Sequence, residues 1–206
     1  MTENEAKKWL EAFLAVEIPE DLDVILFAPF TLLDFVSSFI SQNNLRLKLG
    51  AQNISQFDAG AYTGEVNAHQ IKEFANYVLI GHSERRENFG EDTAVIKKKI
   101  ENATLVGLIP LVCISDFDQA REFGFAKEAI FAFEPVSAIG SGNPEDSNKV
   151  AELSKKFSAA FENQLIYGGS INPDNAKEYL TIPGISGVLV GTESLSPQRF
   201  SEIINV

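Results

Sequence analysis

The sequence has a single cysteine, Cys113, in 206 residues. One thiol closes no internal disulfide, and that sparing use of cysteine fits a reducing, cytoplasmic compartment. Basic residues are also in deficit: 17 Lys and Arg stand against 29 Asp and Glu, for a formal charge of −12. Such a balance argues against nucleic acid or an anionic membrane surface as a partner. Anionic small molecules stay open, because they read only local potential. Long apolar runs are missing: stretches such as Val24 to Phe30 are far too short to cross a bilayer. The acidic opening "MTENEA" lacks the apolar core of a secretory signal. No linker, low-complexity block or shift in composition divides the chain, so one domain over residues 1–206 is expected.

What is present is alternation. Short β-branched or aromatic runs read as strands at Val24 to Ala28, Arg46 to Ala51, Tyr77 to Ile80, Ile109 to Ile114, Ala129 to Phe133, Leu165 to Tyr167 and Gly187 to Val190. Between them apolar residues recur at helical spacing, as in Leu32, Phe35, Val36 and Phe39. Asn172-Pro173 and Ser196-Pro197 read as helix starts, a capping residue followed by proline. Several strands ("VILFA", "YVLI", "GVLV") are apolar on both faces, as in a parallel sheet covered by helices. The chain opens directly with a helix, marked by Trp9, Leu10, Phe13 and Leu14, so helices outnumber strands by one. That pattern fits an α/β (βα)8 barrel without its first strand, or an open doubly wound sheet, and periodicity does not choose between them.

Polar residues gather where strands end. "YVLIG" runs into His82 of "HSERR", and "AIFAF" into Glu134; "LIY" precedes Gly168-Gly169-Ser170, and "GVLV" precedes Gly191-Thr192. In either α/β architecture that carboxyl edge carries the site. Taken singly, each feature has an ordinary explanation. A lone His is most often a core-edge residue, a half-buried Glu most often an ion-pair partner, and a Gly-Gly-Ser fits any tight turn. Cys113 reads as a packed thiol, the Lys97-Lys98-Lys99 run as a solvated helix face, and Glu65, Arg85 and Arg86 as structural ion-pair residues. As a set they suggest main-chain amides for a phosphate beside an acid and an imidazole. The glycine-rich "PVSAIGSG" would form a closing lid.

The stretches "LIGHSERRENFGED", "FEPVSAIGSG", "IYGGSINPDNAKEY", "GVLVGTESL", "APFTLL" and "AQNISQFDAGAYTGE" resemble the triosephosphate isomerase family, collinearly from about Trp9 to the C-terminus. The resemblance implies a (βα)8 barrel, commonly called a TIM barrel, whose first strand is missing from this chain. It implies interconversion of dihydroxyacetone phosphate and glyceraldehyde 3-phosphate through an enediolate, in glycolysis and gluconeogenesis. By that resemblance Glu134 is the general base, His82 the neutral electrophile, and Glu84 an accessory carboxylate. Gly140, Ser170, Gly191 and Thr192 would bind the substrate phosphate. No metal or organic cofactor is implied. The loop from Asn53 to Glu65 would insert into a partner copy, making a homodimer or, as in compact members, a tetramer. Thr63 would then lie near the partner's site.

Four departures qualify the match. Thr192 replaces a glycine and is followed by the acidic Glu193; Ser137 stands where many members carry tryptophan; the stretch from Cys113 to Glu134 is short; and the Asn-x-Lys strand expected ahead of "MTENEAKKWL" is absent. The leading expectation is an isomerase whose Asn-x-Lys strand lies upstream of Met1. The alternative is a non-catalytic phosphosugar-binding barrel derived from the enzyme. A barrel isomerase acting on another phosphorylated sugar is the third reading, suggested by Thr192 and Ser137 alone.

Overall fold

The computed structural model describes residues 1–135, 138 and 143–206. Expectations for Ser137 and Gly140, and for most of the "PVSAIGSG" stretch, therefore lie outside the described residues. Contacts group the chain into two units. The first comprises Met1–Ile80, Asp92–Pro110 and Asn205; the second comprises Gly81–Glu91, Leu111–Ile204 and Val206.

The first unit opens with α1 (Glu3–Phe13), started by a capping box in which Thr2 and Glu5 satisfy each other's backbone N–H groups. Its apolar stripe buries Ala6, Trp9, Leu10 and Phe13, the Trp9 and Phe13 rings stacking at 4.8 Å. Each large side chain so buried contributes about 1.5–3 kcal/mol. Leu14, expected on that stripe, caps the helix and is exposed. Strands β1 (Val24–Ala28), β2 (Leu47–Ala51) and β3 (Tyr77–Ile80) run parallel, β2 pairing with both others. They alternate with α2 (Leu33–Gln42) and the short α3 (Ala68–Lys72), and α5 (Thr93–Leu105) packs beside β3.

The lysine run on α5 corrects the sequence reading. Lys98 is solvated, 3.6 Å from Glu101, but Lys99 is 4% exposed and donates to Asn53 Oδ1 at 2.7 Å. Helical spacing puts Lys99 with Ile96, Ile100 and Ala103 on the buried side, so three adjacent lysines cannot share one environment. The Asn53 to Glu65 loop is internally braced: Ser55 Oγ donates to Glu65 at 2.6 Å, and the Phe57 and Tyr62 rings stack at 4.1 Å while remaining exposed.

In the second unit, β4 (Ile109–Ile114, from Leu111 onward), β5 (Ile130–Phe133), β6 (Leu165–Tyr167) and β7 (Ile185–Val188) are paired in sequence order, all parallel. They alternate with α6 (Phe117–Phe123), α7 (Ser147–Ala160) and α8 (Ala176–Leu180). A 3-10 turn, η2 (Thr192–Leu195), leads into α9 (Pro197–Ile204). Ser196-Pro197 starts α9 as expected, whereas Asn172-Pro173 does not start α8. The Asn172 side chain instead accepts from the N–H groups of Asp174 and Asn175, closing a turn, and the helix begins at Ala176.

A further helix, α4 (Ser83–Phe89), separates β3 from α5, one helix more than the alternation required. Gly90 ends it with φ 65°, a left-handed conformation that a side chain resists. Among the described residues no helix is long and apolar enough to cross a membrane.

Candidate active site

Every side chain of this site belongs to the second unit. Strand β5 carries an apolar ladder, Ile130 to Phe133, and ends at Glu134, whose N–H donates to Ile114 O at 2.8 Å. Glu134 is 5% exposed, and its Oε2 has no hydrogen-bond partner among the described residues. An uncompensated buried carboxylate oxygen is costly, and such an atom marks a place where a ligand proton can be taken up.

Its Oε1 lies 3.2 Å from Nε2 of His82. His82 is the N-cap of α4, and its Nδ1 accepts the N–H of Glu84 at 3.3 Å. That acceptance fixes the tautomer: with Nδ1 receiving an amide proton, a neutral imidazole carries its own proton on Nε2, aimed at the carboxylate. The hydrogen bond to Glu134, helped by the charges of Glu134 and Glu84, holds the His82 pKa above its ordinary value against the opposing effect of burial. The resemblance implied a neutral imidazole, and the N–H that Nδ1 accepts from Glu84 is the contact that favours that form.

Three further residues set this geometry, and only the assembled strands make their parts legible. Gly168, at the end of β6, leaves room for Glu134: a Cβ there would come 3.1 Å from Glu134 Cγ and 3.2 Å from Leu189 Cβ. Cys113 sits on β4 opposite Ala132 of β5. Burial, then the Glu134 charge, push its thiol pKa well above the usual range, so it is the inert thiol the sequence suggested. Arg86 donates from Nε to Gly81 O at 2.7 Å and from Nη2 to Cys113 O at 2.8 Å. Its hydrogen bonds thus reach two carbonyls rather than the carboxylate expected, and its guanidinium lies over the Phe123 ring. Arg85 does pair as expected, with Glu91 at 2.6 Å.

A family model describing triosephosphate isomerase matches residues 1–206. The triosephosphate isomerase of Trichodesmium erythraeum (strain IMS101) is 35% identical over 227 aligned residues, covering 99% of this chain and 93% of that protein. Those of Aquifex aeolicus (strain VF5) and Protochlamydia amoebophila (strain UWE25) are 34% and 36% identical, covering 98% and 99% of this chain and 94% and 88% of theirs. The chain belongs to the triosephosphate isomerase family. Membership brings the fold class, an α/β (βα)8 barrel, of which residues 1–206 supply seven strands among those described.

Against the triosephosphate isomerase motifs, the structure brings His82 and Glu134 together. Glu84 is more peripheral: its side chain is 74% exposed and reaches Nδ1 of His82 only at 3.9 Å. Ser170 lies two residues beyond Gly168, with φ 50°, and its hydroxyl donates to Ala138 O at 2.7 Å. Near the other end of the glycine-rich stretch, Tyr167 Oη accepts the Glu145 N–H at 2.9 Å and Tyr179 Oη donates to Glu145 O at 2.5 Å.

Gly191 and Thr192 lie just beyond Leu189, the residue that flanks Gly168. Thr192 keeps φ out of the left-handed region, so a β-branched side chain is tolerated where the family motif has glycine. Glu193 is turned to Arg199 Nε at 2.7 Å.

Proposed function

We propose that this protein interconverts dihydroxyacetone phosphate and glyceraldehyde 3-phosphate. The observation that carries the reading is the 3.2 Å approach of His82 Nε2 to the buried Glu134 carboxylate. Glu134 takes a proton from the carbon beside the substrate carbonyl. His82, with its proton on Nε2, supports the developing oxygen charge and moves protons between the two enediolate oxygens. Glu134 returns its proton to the neighbouring carbon, so acid and base are regenerated. Glu84 supports the imidazole through the N–H that its backbone donates to Nδ1. Ser170, Gly191 and Thr192 supply the phosphate contacts, with Gly140 as a fourth.

The reading assigns the Asn-x-Lys cation to no residue in 1–206. The working unit is a homodimer built through the exposed Phe57–Tyr62 stack of the Asn53 to Glu65 loop, acting in the cytoplasm.

Incubating the purified 206-residue protein with dihydroxyacetone phosphate in heavy water tests the chemistry. Deuterium should enter the carbon that loses its proton, and Glu134→Gln should suppress that exchange by about a thousandfold or more. No exchange by the native protein, or equal exchange by the variant, would refute the assignment.

A further inference from the structure

The acid that follows Thr192 poses an electrostatic problem. A phosphate dianion held by the Gly191 and Thr192 amides would meet Glu193 one residue away, and like charges at that range disfavour binding. The carboxylate has little freedom to retreat. Ser194 closes the turn by donating both its N–H (3.0 Å) and its hydroxyl (2.7 Å) to Gly191 O, and the N–H of Ser196 donates to Glu193 O at 3.3 Å.

What meets the carboxylate is Arg199. Its Nε contacts Glu193 Oε2 at 2.7 Å, its Nη1 contacts Glu202 Oε2 at 3.4 Å, and Asp174 adds to the acidic field around it. Arg199 stands in the first turn of α9, its own N–H donating to Ser196 Oγ at 3.3 Å. A cation at a helix N-terminus opposes the helix dipole, so helix stability does not explain its position. The pair is also partly exposed, at 42% and 30%, which makes it a weak contributor to folding.

We infer that Arg199 sets the anion affinity of this site by cancelling the charge of Glu193, and so lets an acidic residue stand beside a phosphate-binding turn. This rests on the phosphate role given above to Ser170, Gly191 and Thr192. Arg199 is a positioning and charge-balancing residue: it touches the acid, and the acid's field reaches the ligand.

A charge-swap series read by amide chemical shifts, with inorganic phosphate and glycerol 3-phosphate titrated separately at low salt, tests it. Arg199→Gln should weaken binding about three- to tenfold, and Glu193→Gln should tighten it by a similar factor of about three to ten. The double variant should return to within about twofold of native, Arg199→Lys should bind nearly as the native protein does, and all differences should shrink at high salt.

The sign of the Glu193→Gln effect decides. If that variant weakens binding as Arg199→Gln does and the double variant gives no rescue, the pair merely holds the turn in shape and the inference falls. Should Arg199→Gln fail to fold, the Glu193→Gln and Arg199→Lys arms still decide. Native shifts at Ser170, Gly191 and Thr192 with no difference among the variants would overturn this inference alone. An absence of phosphate-dependent shifts at those amides in the native protein would overturn the phosphate assignment and this inference together.

Discussion

Replacing Gly168 by alanine should impair the base without touching it chemically. Gly168 has no left-handed backbone to strain, so the added methyl acts by contact alone. Carbon atoms pack comfortably at about 3.5–4.0 Å. At 3.1 Å from Glu134 Cγ and 3.2 Å from Leu189 Cβ, the methyl is too close to both by about 0.3–0.9 Å. Leu189 Cβ is rooted in backbone that bonds to Tyr167 O at 2.8 Å, so the Glu134 side chain is the softer neighbour and yields. A misplacement of about 1 Å costs about a hundredfold; half of that displacement should lower kcat by about tenfold. KM should change by less than kcat, since the methyl presses on Glu134 and Leu189 rather than on Ser170, Gly191 or Thr192, and overpacking should lower stability by about 1–2 kcal/mol. Steady-state isomerisation kinetics, with deuterium exchange where turnover is slow, give the split. A Gly168→Ala protein that keeps kcat within about twofold while folding normally would show that the base is not held in place by this contact.

The raised His82 pKa makes a signed statement about stability. A pKa raised on folding stabilises fully below the unfolded value, about 6.5 for histidine, and that stabilisation is lost as pH rises through the folded value. The unfolding free energies of native protein and Glu134→Gln should therefore differ less as pH rises from 5 to 9, while an NMR titration shows a lower His82 pKa in the variant. A gap that widens with pH would contradict the pairing. On α5, Lys99→Ala should cost about 2–3 kcal/mol in denaturant unfolding, because it removes a buried cation and strands the Asn53 amide oxygen, and Lys98→Ala less than about 0.5 kcal/mol. Equal effects would mean that the two lysines share one environment after all.

The strands were legible because each is an apolar run cut off by turn residues, and β1, β3, β4 and β6 carry the expected bounds. Strand β7 lies two residues earlier than its apolar core suggested, Ile185–Val188, where the pairing with β6 shifts register between Leu165 and Ile166. Bulges of that kind depend on the partner strand and leave no local signal. Helix α4 was hidden because "HSERRENF" buries no residue in the structure and so lacks an apolar stripe. His82 and Glu134 could be singled out since both stand at strand ends. The placement of Cys113 and Gly168 near Glu134 arises across strands, from the pairing of β4 with β5 and β5 with β6, and sequence spacing carries no trace of it.

Arg86 grips the carbonyls of Gly81, immediately before the imidazole, and of Cys113, one strand over from the carboxylate. A planar fork with donors at fixed separation works here as a gauge block: it dictates the spacing of two loop roots. Lysine, with one point charge on a supple stem, would keep the electrostatics and lose the spacing. The separation of His82 and Glu134 is therefore written partly into a residue outside the pair, and searches for variants with altered turnover should reach that far.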